Sequence, residues 1–470
     1  MLSRLIETAE HELQYVPGSY RDRSSRVARS GQRVIRLLDA AAWQEWQFIS
    51  STDYWQRSVA AGRFVSTTDA ADVSVPPPWT AAIEHELLPL ISWPWEWSWS
   101  MLREAAQLHL QLLDEALSAG LILTDATPLN IQFRGVIPVH IDIGSVVRRP
   151  AGQVWEAYRQ FCQQWLYPLC LQAWKQVDFQ PWLRGCSDGI SAEQFAGLLS
   201  VRDWFRRGAV SHVLLPRLIS RRPQQGRLSA TVAGNEFSSD LIRHNVQGLL
   251  RLISSLRWSP ARSQWSNYSS ETPHAILDRP QKSAFVDRVC GNLRAASTWD
   301  IGCNDGVYSR IAAEYGQVVA MDADHLTVDR LFLSLQQESH FRDRISPLVM
   351  NPADPSPALG WRCSERPALE ARSSPDLVLC LAVLHHLVIG SNLLLDDVID
   401  WLHSLQADVV IEWVDRGDPM IEQMLQHRRD VFRDYQADAF EQSVKRRFQI
   451  LSRERLPSAT RELFWLRPGH

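Results

Sequence analysis

Lysine is nearly missing from this sequence. Lys175, Lys282 and Lys445 are the whole complement, and arginine supplies the other 46 of the 49 basic residues. A function that needs a lysine therefore has few candidates, and none before residue 175. Long apolar runs are missing too: no stretch reaches the roughly 18 residues of a membrane-spanning helix. Met1 to Tyr20 lacks the apolar core of a secretory leader, so none is expected there. The seven cysteines form no C-x-x-C pair and are odd in number. Neither a disulfide framework nor a metal site is expected, and a reducing, cytoplasmic setting fits. A net charge of -4 gives no electrostatic reason for general nucleic-acid binding.

What is present is the composition of a folded chain. At 470 residues it exceeds what one core usually organises, so two domains are expected. Ser259 to Pro280 is rich in Ser, Pro and Asn without periodicity. The expected division is a domain over 1–258, a linker over 259–280 and a domain over 281–470. In the first part, Arg26 to Leu38 reads as a hairpin turning at Gly31, residues 100–120 as a helix, and Leu121–Leu123 and Val139–Ile143 as short strands. Residues 153–258 read as mostly helical, with turns near Gly185–Gly189 and Arg222–Gly226. From about 282 strands and helices alternate. The strands are expected at Ser297–Ile301, Val318–Met321, Leu377–Leu381 and Val409–Glu412, with two closing strands at Arg447–Leu451 and Glu462–Leu466. That alternation predicts an α/β, Rossmann-like, doubly wound sheet with a closing antiparallel strand.

The chemistry concentrates in Asp300-Ile301-Gly302-Cys303-Asn304-Asp305-Gly306, which ends a strand and opens a helix. Gly302 and Gly306 allow a tight turn with no Cβ between backbone and ligand, and the following helix offers free N–H groups. A dinucleotide fingerprint needs glycine two residues after Gly302, where Asn304 stands. Asp322 ends the next strand, 20 residues after Gly302, placed to accept from ribose hydroxyls. Asp354 is a candidate acceptor for an adenine amino group. The strand from Asp376 ends in Ala382-Val383-Leu384-His385-His386-Leu387, where ligands bind in such sheets. Together these elements read as a site for S-adenosylmethionine (SAM). The competing readings are a domain for another nucleotide, or a degenerate domain that binds nothing.

These residues resemble the class I SAM-dependent methyltransferases of the nodulation protein NoeA-like type. The resemblance runs through Trp299–Arg310, Asp354-Pro355-Ser356-Pro357, Gly360-Trp361, Glu365-Arg366, Leu381–Leu387, Ile411–Val414 and Asp418. It continues through Arg429–Phe432, Asp434-Tyr435 and Arg461–Trp465. It implies cofactor contacts near Asp300, Gly302, Asn304, Gly306, Asp322 and Asp354, and it is silent on the methyl acceptor. In-line displacement at a sulfonium depends on positioning, and a hydroxyl acceptor also needs a base. His385 and His386 are the candidate bases, unless they merely line the cofactor. Glu412 and Asp415 end the next strand as candidate acceptor contacts, or as solvated strand ends.

In the first half, Asp125 is followed five residues later by Asn130 and then by a strand ending in Asp142. That order resembles the catalytic loop and metal-binding acid of aminoglycoside-phosphotransferase-like kinases. The phosphate-binding lysine has no candidate, and Arg36 is the nearest basic residue in a strand. Leu123 stands where a histidine often precedes the catalytic aspartate, and there is no G-x-G-x-x-G loop. A kinase-like α+β fold is expected, without phosphotransfer. Trp93, Trp95, Trp97 and Trp99 alternate, which in an extended segment puts all four on one face, as a stacking platform or, more simply, as core. Trp93–Ser98 and Tyr158–Cys162 also resemble the NoeA-like proteins, so the two-part design belongs to that family.

The reading is a SAM-dependent methyltransferase acting on a small-molecule, glycan or peptide acceptor. One alternative is a non-catalytic scaffold that pairs a pseudokinase-like domain with a SAM-sensing one. Another is a bifunctional kinase-methyltransferase.

Overall fold

A computed structural model of the chain describes residues 13–220, 239–259, 273–426 and 430–469. They divide into two units. The first takes in the described parts of 1–133 and 138–259 together with 358–366; the second takes in 134–137, the described parts of 260–357, and 367–470. No helix among the described residues is long and apolar enough to cross a membrane.

The first unit opens with five strands: β1 (Gln14–Tyr15), β2 (Ser25–Ser30), β3 (Arg33–Leu38), β4 (Thr67–Asp69) and β5 (Ala81–His85). They form an antiparallel sheet in the order β1-β2-β3-β5-β4. The β2–β3 turn uses Gly31 at φ +58, a left-handed conformation that glycine adopts without strain. Between β3 and β4 lie α1 (Ala40–Ser50) and α2 (Asp53–Ala60), whose first turns are capped by the side chains of Asp39 and Thr52. Helix α3 (Trp99–Ser118) starts where Ser98 accepts from the Met101 N–H, and it buries Leu102, Leu110 and Leu113. Beyond it β6 (Leu121–Leu123) pairs with β9 (Val146–Arg148), and β7 (Ile131–Arg134) with β8 (Ile137–His140). The strand expected over Val139–Ile143 therefore ends at His140, and Ile143 opens a short 3-10 turn. Helices fill most of residues 158–220 and 239–255. The turn expected at Arg222–Gly226 lies outside the described residues.

The tryptophan row is not extended. Pro94–Glu96 is a 3-10 turn, with the Glu96 carboxylate accepting from the Trp93 N–H at 2.7 Å. Trp93 and Trp95 stack with ring centroids 5.8 Å apart, Trp97 packs edge-on against Phe133, and the Trp99 indole donates to the Leu169 carbonyl. All four are buried, so the row is core rather than a stacking platform.

The second unit begins with α4 (Pro273–Leu293). Helix thus starts inside the stretch read as linker, whose residues 260–272 lie outside the described ones. Seven strands follow: β10 (Ser297–Ile301), β11 (Gln317–Asp322), β12 (Ile345–Val349), β13 (Leu377–Cys380), β14 (Asp408–Val414), β15 (Phe448–Arg455) and β16 (Arg461–Pro468). Their order is β12-β11-β10-β13-β14-β16-β15. The first five run parallel, and β16 is antiparallel to both neighbours. β12 escaped the sequence reading because Pro347 interrupts it. Proline lacks a ladder donor and is tolerated on an edge strand, and β12 is the edge. α5 (Val307–Ala313) and α6 (His325–Leu335) make the crossovers after β10 and β11. The strand order reverses between β10 and β13, and such a switch point opens a crevice at the strands' C-terminal ends.

Candidate functional site

A cavity of about 600 Å³ occupies that crevice. Residues from the ends of four neighbouring strands line it: Gly302–Asp305 after β10, Asp322 and Ala323 at β11, Asn351 and Pro352 after β12, and Leu381–Val383 with His386 after β13.

The turn after β10 is built as its sequence demands. Gly302 sits at φ +72 and its N–H donates to the Met321 carbonyl, followed by that of Cys303. A Cβ on Gly302 would lie 2.4 Å from Val383 Cγ2, so glycine is required here by both φ and space. Asn304 follows at φ +47 and Gly306 at φ +75, and a Cβ on Gly306 would lie 2.6 Å from Leu331 Cδ1. Across the turn, the end of β13 carries Ala382 at φ +55. A left-handed alanine is a strained conformation of the kind that collects at binding sites.

Asp322 is fixed by two backbone donors, the N–H of Asn304 at 3.0 Å and of Asp324 at 2.9 Å. A carboxylate has about four acceptor positions, so these two leave room for ligand hydroxyls. Burial pushes its pKa up to about 6 against the opposing effect of those N–H groups.

The other sequence candidates fall in different places. Asp300 is buried beneath the turn rather than lining the cavity, and it accepts from Ser309 Oγ at 2.5 Å, which ties β10 to α5. Burial raises it to about 7. Gly306 shapes the turn from outside the lining. Asp354 is exposed, in a turn paired with Asn351, and it is Asn351 that reaches the cavity. Of this turn, Asn351 and Pro352 line the cavity, and Asp354, the residue read as the adenine-side acceptor, does not. The two histidines part company. His386 lines the cavity; burial first, then the Arg461 charge, lower it to about 4. His385 is fully buried behind it with ring centroids 4.2 Å apart, and neither of its ring nitrogens has a hydrogen-bond partner.

Glu412 does not face the cavity either. It is fully buried and holds Lys282 Nζ at 2.7 and 2.8 Å and Arg461 Nη1 at 3.4 Å. An acid so paired is a counter-ion and offers no acceptor contact. Asp415 is exposed, bonded to the Gly417 N–H. Asp418 grips Arg461 through two bonds, at 2.8 and 3.1 Å. Sequence reasoning assigned no site role to Arg279, Lys282, Asp305, Tyr308 and Arg461, all of them cavity-lining. For Lys282 a signal existed, since a buried lysine in a chain with three is informative. Arg461 is met only within the stretch that carries the resemblance, because its place at the cavity is set when β16 pairs beside β14.

The kinase-like motif of the first unit closes on itself. Asn130 Nδ2 donates to Asp125 Oδ2 at 3.3 Å, and Asp125 also accepts from the Thr127 N–H. Asp142 accepts from Arg36 Nη1 at 2.9 Å, and Arg36 reaches His85 and Ser25 as well. Among the described residues, no group of three or more His, Cys, Asp or Glu is placed to hold a metal ion.

No family model matches the chain. Solved structures similar to it include the N-methyltransferase NodS from Bradyrhizobium japonicum WM9, at 12% identity over 41% of this chain and 97% of that one, TM-score 0.30. Magnesium protoporphyrin IX methyltransferase (ChlM) from Synechocystis PCC 6803, solved with bound SAM, is 17% identical over 45% of this chain and 87% of that one, TM-score 0.30. The nodulation protein NoeA of Rhizobium meliloti (strain 1021) is 32% identical over 459 residues, which are 96% of this chain and 95% of that protein. At that identity over nearly the full length of both, this chain belongs to the NoeA family of nodulation proteins.

Proposed function

We propose that the protein is a SAM-dependent methyltransferase of class I, acting on a small-molecule, glycan or peptide acceptor. The carrying observation is the cavity at the β10–β13 switch point, bounded by the Gly302 turn and by Asp322. The residues fit the cofactor. A Cβ on Gly302 would meet Val383 in the cavity wall, Asp322 has acceptor capacity for ribose hydroxyls, and Asn351 and Ala323 line the same cavity. When bound, SAM supplies an electrophilic methyl on sulfur. The sheet order, with β16 closing antiparallel, is the one the class I resemblance implies.

The chain's own part is positional. Gly302, Asn304 and Asp322 orient the cofactor; Tyr308 and His386 flank the space left for the acceptor. Holding two reactants in line converts a bimolecular step into an effectively unimolecular one. The first unit, corresponding to about residues 1–258, is read as a kinase-like fold that supports or presents the acceptor. Arg36 occupies Asp142, the acid that binds metal in kinases, so phosphotransfer is no part of the reading. Seven free cysteines suit a reducing, cytoplasmic setting.

Calorimetry on the full chain tests this. SAM or S-adenosylhomocysteine (SAH) binds one per chain, and Asp322→Ala weakens binding about a hundredfold, the loss expected when two charge-assisted hydrogen bonds go. A wild-type chain that binds neither compound refutes the reading.

A further inference from the structure

Charge is unevenly placed in the cavity lining, where Arg279 is paired with Asp305 at 3.1 Å. Asp305 and Asp322 stand at the ends of β10 and β11, and they are the carboxylates among the described lining residues. Lys282 and Arg461 stand on the β14–β16 side, beside His386. Their counter-ions Glu412 and Asp418 are both fully buried and outside the lining. The acids grip the cations from outside the lining, with Arg461 Nη1 also 3.4 Å from Glu412, while Lys282 and Arg461 themselves line the cavity. Glu412 engages the ammonium through both carboxylate oxygens, and an ammonium has three donors. Asp418 holds the Arg461 guanidinium by Nε and Nη2, which fixes its orientation.

Resting on the methyltransferase reading, we propose that the acceptor is a carboxylic acid, seated by its carboxylate on Lys282 and Arg461 and methylated on a carboxylate oxygen. The chemistry balances without a base. One oxygen forms the new O–CH3 bond while the S–CH3 bond breaks. The electron pair leaves with sulfur, the opposite charges of carboxylate and sulfonium cancel, and no proton moves. The other acceptor classes fit worse. A hydroxyl needs a base; His386, held neutral and weakly basic by burial and by Arg461, is a poor one, and His385 does not reach the cavity. An amine gains positive charge as it is methylated, in a cavity lined by Arg279, Lys282 and Arg461. A carboxylate gains charge-assisted hydrogen bonds from both cations.

The test uses the full chain with benzoate, benzamide and benzylammonium as probes, with and without saturating SAH. Wild type should bind benzoate at least about tenfold more tightly than the other two, the value of one charge-assisted hydrogen bond. Arg461→Gln and Lys282→Gln should each erase that preference and change SAH affinity by less than about threefold. Equal or tighter binding of benzamide or benzylammonium by wild type overturns the proposal, and this comparison needs no variant to fold. So does a variant that loses SAH affinity about tenfold while keeping the benzoate preference, because the cations then serve the cofactor. Failure of wild type to bind SAH refutes the methyltransferase reading separately. Product formed in a cell extract from methyl-labelled SAM should release its label as methanol in mild alkali, as an ester does; label that stays fixed counts against a carboxylate acceptor.

Discussion

Two clusters of acidic and basic residues, one in each unit, show how similar side chains serve opposite ends. In the first unit Asp125 accepts from Asn130, and Asp142 accepts from Arg36. Each acid of the kinase-like motif has found a partner within the protein. In the second unit Glu412 and Asp418 are equally well paired, but their cations stand at the wall of a cavity of about 600 Å³. Asp322 faces that cavity too, held by backbone N–H groups rather than by a cation. Pairing is therefore no measure of function. What distinguishes the clusters is whether the paired groups leave a surface that a ligand can reach.

Glycine gives the sharpest way to break that comparison. Gly31 and Gly302 both sit at positive φ, at +58 and +72. A side chain at either meets the left-handed backbone penalty of about 1–2 kcal/mol. At Gly31 nothing lies within 4 Å of the added Cβ, whereas at Gly302 it meets Val383. Gly302→Val should lower SAH affinity about a hundredfold, roughly 2.7 kcal/mol, and Gly31→Val should leave it unchanged. Calorimetry on both variants decides, and similar affinities would show that the Gly302 turn does not cradle the ligand.

An effect of similar size, on stability rather than on binding, is expected at the ion pair of the first unit. Asp142→Ala strands the buried Arg36 cation, and breaking a buried pair costs about 3–5 kcal/mol. The Asp142 side chain keeps 24% exposure, so about 2–3 kcal/mol of stability is expected to go, read in urea unfolding, with SAH affinity unchanged. A variant as stable as wild type would mean that Arg36 is satisfied by His85 and Ser25 alone.

These sites were unequally legible in sequence. The turn from Asp300 to Gly306 and the acid Asp322 are local: a strand end, two glycines and a spacing carry them, and the structure joins them by the bond from Asn304 N–H to Asp322. Asp354, Glu412 and His385 do not line the cavity, and sequence position alone does not say which way a side chain points. Glu412 ends up beneath the cavity only because Lys282, 130 residues earlier, reaches it from another element. The tryptophan row misled for a similar reason. Alternation implies a common face only in a strand, and Pro94 turns the chain there. In the first unit, the Arg36–Asp142 pair spans 106 residues, and no local pattern announces it.

Acid titration gives a third and smaller contrast. Asp300 and Asp322 are raised by burial to about 7 and about 6. Their unfolded-state values are near those of an ordinary aspartate, about 3.9. Between those limits the folded chain binds more protons than the unfolded one, so stability falls as pH rises through the window. The ligand-free protein should therefore gain thermal stability from these groups as pH is lowered from about 8 to about 5. Asp322→Asn should flatten part of that rise. SAH affinity should move the other way, falling as pH drops through about 6, because protonated Asp322 loses acceptor capacity toward ribose hydroxyls. An SAH affinity that is flat over this range would remove Asp322 from the ribose role.

The smallest expected effect is a shift of zero, and it sharpens the comparison from the side of the first unit. A nucleotide held at a hundred times its Kd would stabilise its unit by about 2.7 kcal/mol, which for a domain of this size raises the melting temperature by about 5 °C or more. ATP with magnesium should produce no such shift. The physical reason is the Arg36–Asp142 pair. A metal ion would have to displace a guanidinium already bonded to Asp142, Ser25 and His85, leaving a buried cation next to an added one. Arg36→Ala frees Asp142 from that contact. If this variant gains an ATP-and-magnesium shift that wild type lacks, then arginine alone closes the motif. If it gains none, the closure extends to the Asp125–Asn130 loop, and the first unit has lost nucleotide chemistry at both acids.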